Sequence, residues 1–358
     1  MNQRWMAMAS LVVAGGCAVV SAQTPVTHAE LQAVTETGQS AWAETFPFTI
    51  RGVILNDPEE MLDATYDPQA VASNQIGAQY QVFFQGGDGD RGGTALWMAQ
   101  NYQARGHLEQ YYAEAEWASE MQRIRQDAAG RLFRKGDVIE VTARRALFYN
   151  GKININEAHR IDPANNFDIE LVQANAGLPR AEPITLADVM DTEGNFYFDP
   201  TRQSGGEHWQ GMRVRLDGVR LVDTNGWGGG SWEQRFCTVE DAEGRTFPLR
   251  MPRTDLGEPP ATSTWFSVVG ILNQERLTPP SYELFVQEIG PVLHLVRGAS
   301  GGVAVLFTAD YEDLVLEATD DLEGPAEWSP VDITPVRVIL MEDTGDAPRR
   351  TYRLRKVD

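Results

Sequence analysis

Three short apolar blocks occur twice in this chain in the same order, and this internal repeat limits the possible folds more than any other feature. The first block, residues 50–57, matches residues 216–223, with Gly at the third position and Asp at the eighth in both copies. A repeat of this kind indicates duplicated structural units, so we predict two domains of one fold. The other two blocks pair residues 83–98 with 236–251, and residues 139–143 with 266–270.

The residue pattern inside the blocks indicates β-strands. In the second block, two apolar runs flank a short acidic turn that contains glycine, which is typical of a β-hairpin. In the third block of the first copy, apolar and polar residues alternate, as a half-buried strand requires. That copy continues to Asn150-Gly151, a strong hairpin signal because a type I′ turn needs positive φ at both positions. The Gly in the first block predicts a bulge or a close backbone approach in both first strands.

The spacing between the copies predicts a helix in the first one. The spacing falls from 153 residues at the second block to 127 at the third, so the first copy has an insertion between Met98 and Lys135. Apolar residues from Leu108 to Ile124, with Glu and Arg between them, favour an amphipathic helix. Five strands with a helix between the third and fourth is the order of the OB-fold. We therefore predict a mainly β chain with two tandem OB-like Greek-key barrels.

Two further segments carry a resemblance to a known family. Residues 183–189 read Pro-Ile-Thr-Leu-Ala-Asp-Val, and residues 208–219 read His-Trp-Gln-Gly-Met-Arg-Val-Arg-Leu-Asp-Gly-Val. In this the chain resembles secreted bacterial tandem OB-fold modules, a type sometimes carried beside extracellular nucleases, with Trp209 where a Tyr is usual. The resemblance covers about residues 46–290. It implies export and a β-barrel binding scaffold, and it implies no catalytic residue.

The last part of the chain has a different pattern. From about Pro291, strand-like runs alternate with polar turns, and the pattern around Leu316, Trp328 and Tyr352 resembles a small C-terminal β module of secreted bacterial proteins. We expect a β-sandwich-like module that serves display or attachment. The predicted organisation is a signal peptide (1–22), a linker with a short helix (23–45), OB-like domain 1 (46–178), OB-like domain 2 (179–290) and the C-terminal β module (291–358).

The N-terminal residues are typical of a secretory signal peptide. Arg4 precedes an apolar run, and Val-Ser-Ala supplies small residues before Gln23. The run is shorter than the about 20 apolar residues that span a bilayer, so we expect no transmembrane segment in the mature chain. The predicted location is secreted, periplasmic or cell-surface. Cys17 follows Val-Ala-Gly-Gly, so a lipoprotein is the alternative. Otherwise Cys17 is removed with the signal peptide, and Cys237 is the only thiol of the mature chain, expected in a buried strand.

The charge of the chain disfavours nucleic-acid binding. With 30 Lys and Arg against 51 Asp and Glu, the formal net charge is -21, and the summed field repels phosphates. Single-stranded nucleic acid stays an alternative, because OB barrels often bind it by aromatic stacking in a basic groove. A local basic stripe for that role would consist of Arg144, Arg145, Lys152 and Arg160.

The sequence contains no convincing catalytic constellation. Residues 87–92 satisfy G-x-G-x-x-G, but a strand follows where the dinucleotide motif needs a helix. Residues 298–302 satisfy G-x-S-x-G, but a strand follows there as well. The histidines are scattered and no cysteine pair exists, so we expect no zinc site. We therefore predict a protein that is not an enzyme, with an unrecognised secreted hydrolase as an alternative.

The same glycine-rich segment bears on metal binding. Asp88 and Asp90 are spaced like the opening of a calcium loop, but Gly92 and Ala99 stand where an EF-hand needs oxygen ligands. We expect no cofactor, with a loose Ca²⁺ site at the two aspartates as the alternative.

Aromatic residues give the better indication of a ligand site. OB barrels bind ligands across the face of strands 2 and 3 and through the loops after strands 1 and 4. Trp227 lies in a glycine-rich loop, which makes it the best candidate for an exposed ring. We predict a secreted, non-catalytic binding or surface-display protein for a glycan or an extracellular or envelope protein. The candidate ligand-binding residues are Phe84, Trp97, Tyr149, Asn150, Lys152, Trp227 and Trp232.

Overall fold

Strands make up most of the regular structure, so the prediction of a mainly β chain is confirmed. The signal peptide, Cys17 and the G-x-S-x-G segment lie outside the described residues. The computed structural model describes residues 23–106, 110–291, 293–297, 303–307, 314–319, 329–330, 338–341 and 351–356.

The first large sheet contains eight strands in the order β6-β7-β4-β3-β2-β5-β8, with β1 beside β2. Strand β7 runs parallel to β4, and β6 follows β5 directly after Arg144 and Arg145. The chain segment β5–β6 therefore pairs with β2 at one end and with β7 at the other, which closes a ring. The strands are β1 Thr24–Pro25, β2 Phe48–Ile54, β3 Gln79–Gln85, β4 Gly93–Ala99, β5 Val138–Ala143, β6 Ala146–Tyr149, β7 Lys152–Ile155 and β8 Asp168–Gln173.

The second large sheet repeats this pairing pattern. Its order is β11-β12-β14-β13-β10-β9, and β10 also pairs with β11, so five strands close a ring. The pair β12–β14 is parallel, as β4–β7 is in the first sheet. The strands are β9 Glu182–Ile184, β10 Arg213–Leu221, β11 Phe236–Glu240, β12 Thr246–Arg250, β13 Phe266–Arg276 and β14 Ser281–Pro291.

The repeated blocks occupy equivalent strands of the two sheets. The shared glycines act as the sequence predicts: β10 has a bulge between Leu216 and Val219 around Gly218, whose φ is +71°. In the first copy, a Cβ on Gly52 would overlap the backbone carbonyl of Gln85 on the neighbouring strand. The domain limits at 178 and 290 stay a prediction.

Helices are short except for the one that the spacing predicts. Helix α4 begins at Glu114, and its buried residues Trp117, Met121 and Ile124 recur at helical spacing. The Glu116 carboxylate accepts the Ala113 N–H and caps the first turn. The helices are α1 His28–Leu31, α2 Pro58–Met61, α3 Pro68–Ser73, α4 Glu114–Arg125 and α5 Gly205–His208, with 3₁₀ turns at Gln103–Arg105, Pro163–Asn165, Leu186–Asp188 and Trp232–Gln234. Among the described residues, no helix combines the length and apolar character that crossing a membrane requires.

The N-terminal segment packs against the first sheet through its short helix α1. Leu31 at the end of α1 is fully buried in the first core. The Gln32 side chain replaces a strand partner: its Oε1 accepts the Ile153 N–H and its Nε2 donates to the Ile153 carbonyl, both at 2.9 Å. The N-terminal segment is therefore part of the first sheet's structure.

The two large sheets are in direct contact. Phe285 on β14 joins the core of the first sheet, and its ring lies 5.4 Å from the ring of Phe83. The Gly93 N–H donates to the Gln210 carbonyl at 3.1 Å, and a Cβ on Gly93 would overlap the backbone of Gly211. The backbones therefore meet at a point that has no room for side chains.

The C-terminal part contributes strands at the positions that the sequence indicates. Two three-stranded antiparallel sheets form, in the orders β15-β16-β19 and β18-β17-β20. Whether they stack as a sandwich stays a prediction. These strands are β15 Leu293–Arg297, β16 Val303–Phe307, β17 Leu314–Thr319, β18 Ser329–Pro330, β19 Val338–Met341 and β20 Thr351–Lys356.

Adding one methyl group at Gly93 tests the close contact between the backbones of Gly93 and Gly211. Gly93→Ala should lower the free energy of unfolding by about 1–3 kcal/mol, because the added Cβ overlaps the Gly211 backbone. Gly87→Ala is the matched control, since a Cβ there meets nothing within 4 Å and should change stability by less than about 0.5 kcal/mol. Urea unfolding measures both, and equal stabilities for the two variants would show that the backbones do not meet.

Candidate functional site

The alternation of strand β7 aligns three polar side chains on one face. Successive side chains of a strand point to opposite faces, so Lys152, Asn154 and the following Asn156 share a side. Ile153 and Ile155 on the other side belong to the core of the first sheet. The three polar residues all line one cavity, which defines the candidate site.

Strands β3 and β4 supply the next part of the cavity wall. Gln81 on β3 pairs directly with Trp97 on β4, and the two side chains lie on the same face of the sheet. The Trp97 Nε1–H donates to Gln79 Oε1 at 3.3 Å, which fixes the orientation of the indole ring. The cavity therefore lies on the face formed by the second and third strands of the ring, next to the Asn150-Gly151 turn.

The second sheet closes the cavity from the opposite side. Trp232, Glu275 and Phe285 line it, and the rings of Trp232 and Phe285 are 5.8 Å apart. The cavity has a volume of about 150 Å³. A cavity of about this volume holds a ring of the size of benzene. The remaining lining residues are Arg105, Leu147, Tyr149 and His159.

The charges of Lys152 and Glu275 in the cavity wall neutralise each other. Lys152 is buried, and its ammonium donates to the Gln274 carbonyl and to Glu275 Oε1, the latter at 3.2 Å. The Asn273 amide also donates to Glu275 Oε1. Groups of the second sheet therefore neutralise the charge of Lys152. The part of the cavity wall that Lys152 forms is polar and close to neutral.

Two amide atoms in the wall lack hydrogen-bond partners. Asn154 and Asn156 are 9% and 1% exposed, and Asn154 Oδ1 and Asn156 Nδ2 make no hydrogen bond to any described residue. A buried polar group without a partner costs about 1–3 kcal/mol, so such atoms require an explanation. One is an acceptor and the other a donor, and both belong to residues that line the cavity.

A stack of rings forms the end of the cavity near β4. The His159 ring lies 5.2 Å from the Trp97 ring in an edge-on contact. It also stacks on Tyr102 at 5.2 Å, with 25° between the planes. At the opening, the Arg105 guanidinium lies 5.7 Å from the centre of the Tyr149 ring. The cavity thus has flat apolar surfaces beside its amides.

A buried carboxyl group supports this ring stack from behind. Glu157 Oε1 accepts hydrogen bonds from the Tyr102 and Tyr112 hydroxyls at 2.5 and 3.1 Å. Burial raises the pKa of the Glu157 carboxyl to about 7, against the hydrogen bonds of the two tyrosines, which lower it. Glu157 is therefore partly protonated near neutral pH.

The structure brings four of the seven candidate residues together. Trp97, Tyr149, Lys152 and Trp232 all line the cavity. Asn150 lies beside it in the turn, with a φ of +52°, and does not line it.

The other two candidates lie elsewhere. Phe84 is completely buried in the first core, where its ring lies 4.8 Å from the His28 ring, so it is not available to a ligand. Trp227 is half-buried against the second core, and its Nε1–H donates to the Gly257 carbonyl at 2.8 Å. Although Trp227 lies in a glycine-rich loop, its ring is therefore not fully exposed.

The sequence analysis identified Trp232 but missed the two amides and the other two residues that the second sheet contributes to the site, Glu275 and Phe285. The alternating Lys-Ile-Asn-Ile-Asn of residues 152–156 could have pointed to Asn154 and Asn156. No local pattern marks Glu275 or Phe285, because their role depends on the packing of one sheet on the other.

The proposed basic stripe does not form one free cationic surface. Arg144 is paired with Asp168 at 2.6 Å, and the Arg145 guanidinium lies 5.6 Å from the centre of the Phe46 ring. Lys152 is buried in the cavity wall, and Arg160 is exposed.

The remaining sequence candidates have structural partners. Asp90 accepts the N–H groups of His28 and Ala29 at 3.0 and 3.3 Å and so caps helix α1. Within the described ranges, no three His, Cys, Asp or Glu side chains form a group that could hold a metal ion, and the Ca²⁺ alternative at Asp88 and Asp90 stays a prediction. Cys237 is buried in β11, and burial raises the pKa of its thiol to about 11.

Comparison with known proteins adds little to this geometry. No family model matches the chain, and no curated protein matches it. Among solved structures, a chain of a replication protein A heterotrimer bound to ssDNA is similar over 76% of this chain and 70% of its own, with a TM-score of 0.20 and 8% sequence identity. A similarity of this size carries no argument about the fold or the ligand.

The buried Glu157 carboxyl should make stability depend on pH. Its pKa rises from its usual 4.5 to about 7 on folding, so between these values the folded state keeps a proton that the unfolded state has lost. The contribution of Glu157 to the free energy of unfolding should therefore fall with rising pH, by at most about 1.4 kcal/mol per pH unit. Glu157→Gln mimics the protonated form and should flatten this decline, as measured by urea unfolding from pH 4 to 8.

The exposed Glu170→Gln variant is the control and should leave the slope unchanged. Glu283, whose pKa burial also raises to about 7, should leave some slope in the Glu157 variant. Identical pH profiles for Glu157→Gln and the parent protein would contradict the raised pKa.

Proposed function

We propose that this chain is a secreted, non-catalytic binding protein that holds a neutral sugar ring in the cavity between its two large sheets. The observation that carries the proposal is the pair of buried amide atoms without partners, on Asn154 and Asn156, beside the indole rings of Trp97 and Trp232. A pyranose ring matches this wall, because its faces are apolar and its rim carries hydroxyl groups that both donate and accept.

The strand arrangement supports an OB-like assignment for both large sheets. In each, the pairing order is first, second, third, fifth, fourth and back to the first, with a parallel pair between the third and fifth strands. OB barrels bind oligosaccharides and oligonucleotides on the face of strands 2 and 3 and through the loop between strands 4 and 5. The cavity lies on that face of the first sheet, which agrees with the proposed kinship to secreted tandem OB-fold modules.

The charges favour a neutral ligand that is bound and not cleaved. Most glycoside hydrolases use two carboxyl groups that flank the scissile bond. Of the described residues that line the cavity, Glu275 is the one that carries a carboxylate, and Lys152 and Asn273 already hold it. We propose a secreted, periplasmic or cell-surface location for this binding activity, because residues 1–22 are typical of a signal peptide.

Asn154→Leu tests the proposal by separating binding from stability. Calorimetry against a panel of neutral oligosaccharides should show at least tenfold weaker binding, because the ligand loses its hydrogen bond in the wall. The thermal stability of the variant should be equal or higher, because the change removes a buried acceptor without a partner. A residue that only supports the fold would instead lose stability and binding together.

Trp232→Ala and Trp227→Ala form a matched pair of indole deletions. The first should weaken sugar binding at least tenfold, and the second should leave it unchanged, because Trp227 does not line the cavity. Fluorescence anisotropy with single-stranded oligonucleotides at low salt provides the competing outcome. Salt-sensitive oligonucleotide binding without any sugar binding would overturn the proposal.

A further inference from the structure

A second cavity adjoins the first one. Its volume is about 770 Å³, within the about 300–1,000 Å³ typical of ligand pockets. It lies between the segment 61–79 of the first sheet's chain and the segment 231–253 of the second sheet's chain. Gln79 and Trp232 line both cavities, so the two spaces meet at these side chains.

The shared Trp232 is held firmly at this junction. The Arg250 guanidinium lies 4.6 Å from the centre of the indole ring and also donates to the Trp232 carbonyl at 2.7 Å. Arg250 is itself buried and paired with Glu283 at 3.2 Å. The indole is therefore fixed in place, and Trp232 lines both cavities.

Gln79 supplies a hydrogen-bonding group at the same junction. Its Oε1 accepts the Trp97 indole N–H, and its Nε2 makes no hydrogen bond to the described residues. A hydroxyl group of a ligand that passes from one cavity to the other could accept from this amide.

The far end of the second cavity is tied across the two sheets. Arg253 pairs with Asp63 at 2.9 Å, and its backbone N–H donates to the Glu60 carbonyl at 2.7 Å. Asp67 also lines this cavity and accepts the Gln69 N–H at 2.8 Å. Acidic side chains and the net charge of -21 disfavour an anionic ligand here.

We propose that the two cavities form one groove for a linear neutral oligosaccharide. One ring lies in the first cavity against the Asn154 and Asn156 amides, and the chain continues past Trp232 into the second. This inference rests on the proposed function and specifies its ligand as a chain of several units. A ligand confined to the first cavity would leave the second without a role.

The groove predicts that the affinity for a sugar ligand depends on the number of units in the ligand. The probes are α-1,4-linked and β-1,4-linked glucose oligomers and β-1,4-linked N-acetylglucosamine oligomers of one to six units, measured by calorimetry. For the series that binds, affinity should rise at least tenfold between one unit and four. Galacturonate oligomers of the same lengths should bind at least tenfold more weakly than that series, because of their carboxylates.

Two variants test whether the additional sugar units bind in the second cavity. Gln75→Trp fills part of it, and Arg253→Ala removes its tie to Asp63. Both should reduce the affinity for four units to the affinity for one, and both should leave the single unit unchanged. Arg144→Ala removes a comparable exposed ion pair whose residues line neither cavity and should alter neither affinity.

The failures of the two proposals are distinguishable. Sugar binding that is equally strong for one unit and for four would overturn the groove and leave the proposed function standing. Failure of every neutral series to bind would overturn both. A length dependence that survives Gln75→Trp and Arg253→Ala unchanged would also overturn the groove, because the added units would then lie elsewhere.

Discussion

The close approach of two glycine backbones is the constraint on which the candidate site depends. Gly93 begins strand β4, and Gly211 lies two residues before strand β10, so their contact sets the start of β10 against the first sheet. Phe285 and Phe83 then complete the contact with apolar surface. Without this approach, the face of β3, β4 and β7 would be open, and Lys152 would lose its partners on Glu275 and Gln274.

Much of the fold follows from local chemistry that a single sequence displays. The Asn150-Gly151 turn, the strand punctuation and the spacing of Trp117, Met121 and Ile124 each predict the element that forms. The repeat adds long-range information, because two copies of one strand order imply two similar pairing patterns. The closure of each ring and the contact between the rings depend on backbone approaches that no local pattern specifies.

Apart from Trp232, the site was predictable only where its residues lie on strands and turns of the first sheet. Alternation predicts that Phe83 and Phe84 face opposite sides of β3, and a single covered face would bury just one of them. Both are buried, because Phe83 meets Phe285 of the second sheet while Phe84 lies in the core beside His28. The residue pattern of β3 does not indicate that a second sheet covers its outer face. The same second sheet also covers Lys152, which explains why Lys152 is buried.

The indole at the meeting point of the two cavities has a kinetic consequence. Trp232 is held by Arg250 and Phe285, and the sheets are held at a fixed distance by glycine backbones, so the walls stand in place before a ligand arrives. A preformed wall requires little ordering of side chains on association. Among related ligands, association rates should then be similar, and preference should be expressed as the time that each ligand stays bound.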